Sequence, residues 1–245
     1  MAAIRCWLFN LLFYSMTATL AFVALPMLLL PRPAVLKVAW LWGFLATWLA
    51  RHVCGIRLEV RGRENLPEGP VVVAAKHQSA YDTVIYHLLL NEPIFVLKKE
   101  LLFLPLFGLY LWRKGSVAID RSAGASAMKQ LIRQAKERIA AGHPLIIFPE
   151  GTRTSPDAEN PPYHPGVAAL YTQLDVPIVP VATNSGLCWG KNAAWKRPGT
   201  VVVEFLEPIQ PGEMDRKTFM KTLQSRIENK SKALAAERRK ALPST

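Results

Sequence analysis

Cysteine is scarce in this chain, and the three that occur, Cys6, Cys54 and Cys188, lie far apart. No pair has metal-ligand spacing, so neither a disulfide framework nor a zinc site is indicated. A reducing compartment fits that usage. Nucleic-acid motifs are missing: no zinc-finger, RNA-recognition or basic-zipper pattern occurs. There is no G-x-x-x-x-G-K-[ST] phosphate loop, no G-x-S-x-G nucleophile elbow and no internal repeat. Acidic residues are outnumbered, 18 against 30 Lys and Arg, for a formal charge of +12. A basic chain seeks nucleic acid, anionic lipid or an anionic small substrate. The aromatics crowd the apolar N-terminal region rather than interleave with a basic stripe, which disfavours nucleic acid.

Charge is absent between Arg5 and Arg32. "LLFYSMTATLAFVALPMLLL" (11–30) is long enough to cross a bilayer at roughly 20 residues per span. Pro26 and Pro31 kink or end it. A second uncharged run, "VAWLWGFLATWLA" (38–50), is short for a span, and its tryptophans suit a membrane–water interface. Two apolar helices are expected over 1–55, one spanning or deeply inserted and one interfacial. A cleaved signal peptide is the rival reading, with Arg5 as a thin basic start. The second apolar run directly behind it argues for retention. Arg32, Lys37, Arg51, Arg57, Arg61 and Arg63 all follow the first run. By the positive-inside tendency, the bulk of the chain then lies on the cytoplasmic side of the membrane.

A single domain is expected over 56–245. "VVVAA" (71–75), "IFVL" (94–97), "VAI" (117–119), "LIIF" (145–148), "IVPVAT" (178–183) and "VVVEFL" (201–206) are short apolar runs that suit strands buried on both faces. Helical patterns alternate with them, notably 126–142. The apolar segment 100–112 reads as one helix, buried or lipid-facing. The fold class is therefore α/β, a mixed, largely parallel sheet flanked by helices. The basic tail (215–240) either packs through Phe219, Leu223 and Ile227 or touches anionic lipid.

Four polar clusters follow four of these strands, where ligands of open α/β sheets sit. "KHQSAYD" (76–82) admits two compatible readings. His77 is a base held by the carboxylate of Asp82, or Ser79 and Asp82 form a helix-capping pair worth about 1 kcal/mol. His52, His87 and His143 have no polar company in the sequence and read as structural or surface residues. "FPEGTR" (148–153) offers a turn at Gly151, a hydroxyl on Thr152 and a planar fork on Arg153 that matches a phosphate. Glu150 there would orient Arg153 or a substrate hydroxyl. "AIDR" (118–121) adds Arg121, and "NSG" (184–186) is the fourth cluster. No protein nucleophile is activated, so the attacking group would come from the substrate.

In order and spacing, "HQSAYD" (77–82), "GSVAIDR" (115–121), "FPEGTR" (148–153) and "VPIVPVATNSG" (176–186) resemble the motif set of the 1-acyl-sn-glycerol-3-phosphate acyltransferases. The resemblance covers about residues 60–210. It implies transfer of an acyl chain from acyl-CoA or acyl-carrier-protein to the free hydroxyl of lysophosphatidic acid, giving phosphatidic acid. It implies His77 as general base and Asp82 as its orienting partner. Arg121 and the turn of Glu150, Gly151, Thr152 and Arg153 would grip the phosphate, and Pro177 and Pro180 would shape the acyl or donor site. It implies no metal and no tightly bound cofactor. Two departures stand out: Lys76, where the family often has Asn, and the long loop ending "YHPG", which puts His164 near a usual Lys. Another lysolipid acceptor, such as a lyso-ornithine lipid, and a non-catalytic lipid-binding adaptor are the alternatives.

Overall fold

The computed structural model of the chain describes residues 2–191 and 194–240, apart from the side chains of Ala2 and Arg121. Two apolar helices lead, α1 (Ala2–Val23) and α2 (Arg32–Cys54), joined by a 3-10 turn at Leu25–Leu29. Prolines mark the join: Pro26 opens the 3-10 turn and Pro31 caps the start of α2. Having no N–H, proline fits the first turn of a helix and breaks its interior.

The rest is α/β. The strands are β1 (Ile56–Arg61), β2 (Val72–Ala75), β3 (Ile94–Lys98), β4 (Val117–Ile119), β5 (Leu145–Ile147), β6 (Ile178–Thr183) and β7 (Gly199–Phe205). The helices are α3 (Tyr81–Leu89), α4 (Phe107–Lys114), α5 (Gly124–Ala140), α6 (Gly166–Gln173) and α7 (Arg216–Lys240). The strands form one sheet in the order β1-β7-β6-β2-β5-β3-β4. β2 to β6 run parallel, while β7 is antiparallel to β6 and parallel to β1. This is the expected fold class, a mixed, largely parallel sheet flanked by helices. The carboxyl ends of β2, β4, β5 and β6 share one edge of it.

Two elements differ from expectation. β1 was not among the anticipated strands: "IRLEVR" alternates apolar and charged residues, the signature of an edge strand with one wet face. Segment 100–112 is not one helix. A 3-10 turn (Lys99–Phe103) precedes α4, and Pro105 with Leu106 at φ +61° separates them. Proline cannot continue a helix, and a left-handed residue reverses its course.

The pleat divides the core in two. Val73 and Ala75 of β2 pack with α1, α2 and α3, while Val72 and Ala74 pack with α5, α6 and α7. Phe219, Leu223 and Ile227 are fully buried, so α7 is a packed helix. The ladder outlasts β2, because the Lys76 N–H still donates to Val181 O at 2.9 Å. Alternation therefore sends Lys76 and His77 to opposite faces of the sheet.

The helix pair is docked on the domain. Phe9 is fully buried, stacked on Phe13 at 5.6 Å and edge-on to Trp189 at 5.1 Å. Cys6 Sγ donates to Lys196 O at 3.3 Å. The opposite faces, with Trp7, Leu11 and Phe22 on α1 and Trp40, Phe44 and Trp48 on α2, are exposed. Phe9→Ala removes the side chain that seats α1. A loss of about 3–5 kcal/mol is expected, read as a lowered unfolding midpoint in detergent with earlier proteolytic cleavage near α1.

Candidate active site

His77 stands just past the carboxyl end of β2, and the turn that follows feeds α3. Its Nδ1 lies 3.0 Å from Asp82 Oδ2. An ionised carboxylate only accepts, so the Nδ1 carries the proton and Nε2 is left with a free lone pair. The same Oδ2 accepts the backbone N–H groups of Gln78 at 2.7 Å and Ser79 at 2.8 Å. Ser79 Oγ accepts the Tyr81 N–H at 3.0 Å. Cap and orienting partner are thus one carboxylate. Asp82 is 1% exposed on its side chain, and His77 is 12% exposed. The imidazole stacks on Phe148 with centroids 4.1 Å apart.

His77 opens onto a cavity of about 1090 Å³, at the upper end of the ~300–1,000 Å³ usual for ligand sites. One face of α3 runs along it through Ala80, Val84 and His87. Phe13 of α1, Trp42 of α2, Leu111 of α4 and Met128 of α5 supply apolar walls. The polar rim carries Thr152, Arg153, His164 and Lys191. The cavity therefore joins a polar rim and a candidate base to a long apolar chamber reaching the helix pair.

β5 is the immediate neighbour of β2, so the "FPEGTR" turn arrives beside His77. Gly151 sits at φ +63°, which a Cβ would strain, and its N–H closes the turn on Phe148 O at 2.9 Å. Arg153 donates to Lys191 O at 3.2 Å. Arg121 begins a 3-10 turn after β4, between the cavity-lining residues Ile119 and Gly124. Its side chain lies outside the described residues. β4 is three strand spacings from β2, roughly 14 Å, so the Arg121 backbone starts well away from His77.

Other expected site residues sit differently. Glu150 does not face the cavity: its side chain is fully buried. Its Oε1 accepts from Lys76 Nζ at 3.1 Å, the His77 N–H at 3.3 Å and Thr154 Oγ1 at 3.3 Å. A carboxylate held out of water needs such donors, so the role of orienting Arg153 or a substrate hydroxyl gives way to holding the site's backbone. Burial pushes the Glu150 carboxyl up, and the nearby Lys76 ammonium opposes that shift. Pro177 and Pro180 are not among the residues lining the cavity. Pro180 sits in β6 with its carbonyl accepting the Leu206 N–H at 2.9 Å. The fourth block instead touches the site through Gly186, whose N–H donates to Gln78 Oε1 at 3.1 Å.

Two histidines have the polar company that sequence alone did not show. His87 Nδ1 is 3.1 Å from Lys114 Nζ, and burial pushes both groups well below their usual pKa. His143 meets Arg32 and, at 3.4 Å, Glu92. Among the described residues no three His, Cys, Asp or Glu side chains converge as a metal site.

A family model described as acyltransferase matches residues 57–184, which hold His77, Asp82, Arg121 and the "FPEGTR" turn and reach the start of the fourth block's "NSG". The chain belongs to the acyltransferase family. It is 41% identical over 205 residues to the 1-acyl-sn-glycerol-3-phosphate acyltransferase of Pseudomonas aeruginosa, covering 82% of this chain and 79% of the relative. To the protein of that name from Cocos nucifera it is 29% identical over 82% of this chain and 65% of the relative. The crystal structure of the 1-acyl-sn-glycerophosphate acyltransferase PlsC from Thermotoga maritima superposes with a TM-score of 0.77 at 25% identity, over all of both chains.

Asp82→Asn tests the pair in this acyltransferase. The amide no longer supplies the charge that holds the Nδ1 tautomer. Turnover should fall by about 10²–10⁴-fold, while loss of cap strength costs at most about 2 kcal/mol. Kinetics paired with an unfolding midpoint separate the two effects.

Proposed function

We propose that this acyltransferase moves an acyl chain from a thioester donor, acyl-CoA or acyl-carrier-protein, to the sn-2 hydroxyl of lysophosphatidic acid at a membrane surface. The observation that carries the reading is the His77–Asp82 pair at the neck of a long apolar cavity. His77 Nε2 takes the proton of the acceptor hydroxyl, and the oxygen attacks the thioester carbonyl. The new C–O ester bond forms, the C–S bond breaks, and the imidazolium returns its proton to the leaving thiolate. Base catalysis of this kind contributes about 10²–10⁴-fold; positioning of the two substrates contributes the rest. Arg153 and Arg121 receive the phosphate, with Thr152 as a hydroxyl donor beside them. The apolar chamber holds an acyl chain. The chemistry needs neither a metal nor a bound cofactor.

The exposed apolar faces of α1 and α2 suit seating on a lipid leaflet, which would let a lysolipid reach the cavity from the side. Both helices are long and apolar enough to cross a membrane by length and composition. Because α1 is docked along the catalytic domain through Phe9 and Cys6, immersion in the leaflet facing that domain fits better than a free span. The basic residues behind the first apolar run favour the cytoplasmic side. The identities to proteins named for this reaction support the acceptor.

Purified enzyme in detergent should transfer a labelled acyl group from acyl-CoA to lysophosphatidic acid and lose that transfer in His77→Ala. Transfer mainly to a lyso-ornithine lipid or to a larger lysophospholipid would keep the mechanism and replace the acceptor. No transfer from acyl-CoA or acyl-carrier-protein would sink the reading. Arg153→Ala should raise KM for the phosphate-bearing acceptor about 10-fold or more, the worth of one charge-assisted hydrogen bond. Met128→Trp should fill the chamber and depress turnover of long acyl chains more than of short ones.

A further inference from the structure

Lys76 precedes the catalytic histidine and is almost fully buried, with 2% of its side chain exposed. Few lysines are buried so deeply without a carboxylate partner. This one has two. Its Nζ lies 2.6 Å from Glu228 Oε1 on α7 and 3.1 Å from Glu150 Oε1 in the "FPEGTR" turn. Tyr163 OH also donates to Glu228 Oε1, at 2.9 Å. The strand end, the "FPEGTR" turn and the C-terminal helix therefore meet at one ammonium group, on the face of the sheet opposite the His77 ring.

The consequence reaches His77 through its backbone. Glu150 Oε1 accepts the His77 N–H at 3.3 Å. Thr154, four residues after Glu150, donates its N–H to His77 O at 2.8 Å, and its one hydroxyl proton is shared between His77 O at 3.2 Å and Glu150 Oε1 at 3.3 Å. Asp82 holds the ring of His77, and the 150–154 turn holds its backbone on both sides. Glu150 accepts most strongly as a carboxylate, and burial works against that form. The nearest charge that works for it is Lys76. The other ionisable groups around this cluster are His77 itself, Asp82 and Tyr86 on α3, Tyr163 ahead of α6 and Glu228 on α7. Lys76 is the one lysine or arginine among them.

We infer that Lys76 is a positioning residue for acyl transfer: held by Glu228 of α7, it keeps Glu150 charged and so fixes the backbone of His77 beneath the substrate. This rests on the function proposed above. It makes α7, outside the matched family region, part of the apparatus that positions the base. Ser231 and Leu234 tie the same helix to the end of β6, through Thr183 N at 3.4 Å and Asn184 Nδ2 at 3.4 Å.

The test uses the full-length enzyme with acyl-CoA and lysophosphatidic acid. Lys76→Met should lower kcat by about 10–10²-fold, the scale of a small misplacement of a catalytic group, with KM for both substrates within about threefold. It also orphans Glu228 and so should lower the unfolding midpoint. Lys76→Met with Glu228→Gln removes that orphan charge: the midpoint should rise again while kcat stays low. Glu150→Gln should lower kcat as well, and adding Lys76→Met to it should cost little more, because both act on one path. Recovery of kcat together with the midpoint in the Lys76→Met, Glu228→Gln enzyme would show a structural role alone and overturn the inference. So would fully additive losses for Lys76→Met and Glu150→Gln. A wild-type enzyme that transfers no acyl group would remove the proposed function and this role together. Wild-type turnover matched by Lys76→Met removes only this role.

Discussion

One oxygen organises the site. Asp82 Oδ2 accepts from His77 Nδ1 and from two successive backbone N–H groups, all within 3.0 Å. Those amides lie in the turn that leads into α3, so the geometry of His77 is fixed by the way the helix begins. A carboxylate with three donors in a water-free position is strongly held as an acceptor. The side chain that stabilises the fold here also orients the imidazole, and no extra element is needed.

The sheet order turns that local arrangement into a site. Because β2 and β5 are neighbours, the "KHQSAYD" and "FPEGTR" turns lie side by side. The His77 ring faces the apolar chamber, and the residue before it faces the other side of the sheet. Period-two alternation thereby puts the imidazole on one face and the buried Lys76–Glu150–Glu228 cluster on the other. The chamber is closed partly by Phe13 of α1 and Trp42 of α2, which places the two apolar helices in direct continuity with it.

Much of this was legible in the sequence, for identifiable reasons. Six strands show as β-branched runs because a parallel sheet buried on both faces needs nothing else. The two apolar helices and their proline join show as a charge-free stretch. The His77–Asp82 contact shows because five residues across a strand-to-helix turn is a local distance. β1 was missed because an edge strand alternates rather than runs apolar. The break in 100–112 is hidden by the apolar content on both sides of Pro105, which masks the one residue that ends the helix.

The sequence by itself determined the fold class, the order of the motifs and the His77–Asp82 partnership, since each depends on composition or on residues a few positions apart. Tertiary structure alone decided which distant groups share a buried environment. Glu150 meets Lys76 across 74 positions and Lys76 meets Glu228 across 152, and no local pattern encodes such a meeting. Only the packing of distant elements shows that Glu150 is buried away from the cavity and that His87 of α3 meets Lys114 of α4. The physical reason is that burial and pairing of charge are properties of the whole packed molecule, whereas periodicity and caps are properties of the chain.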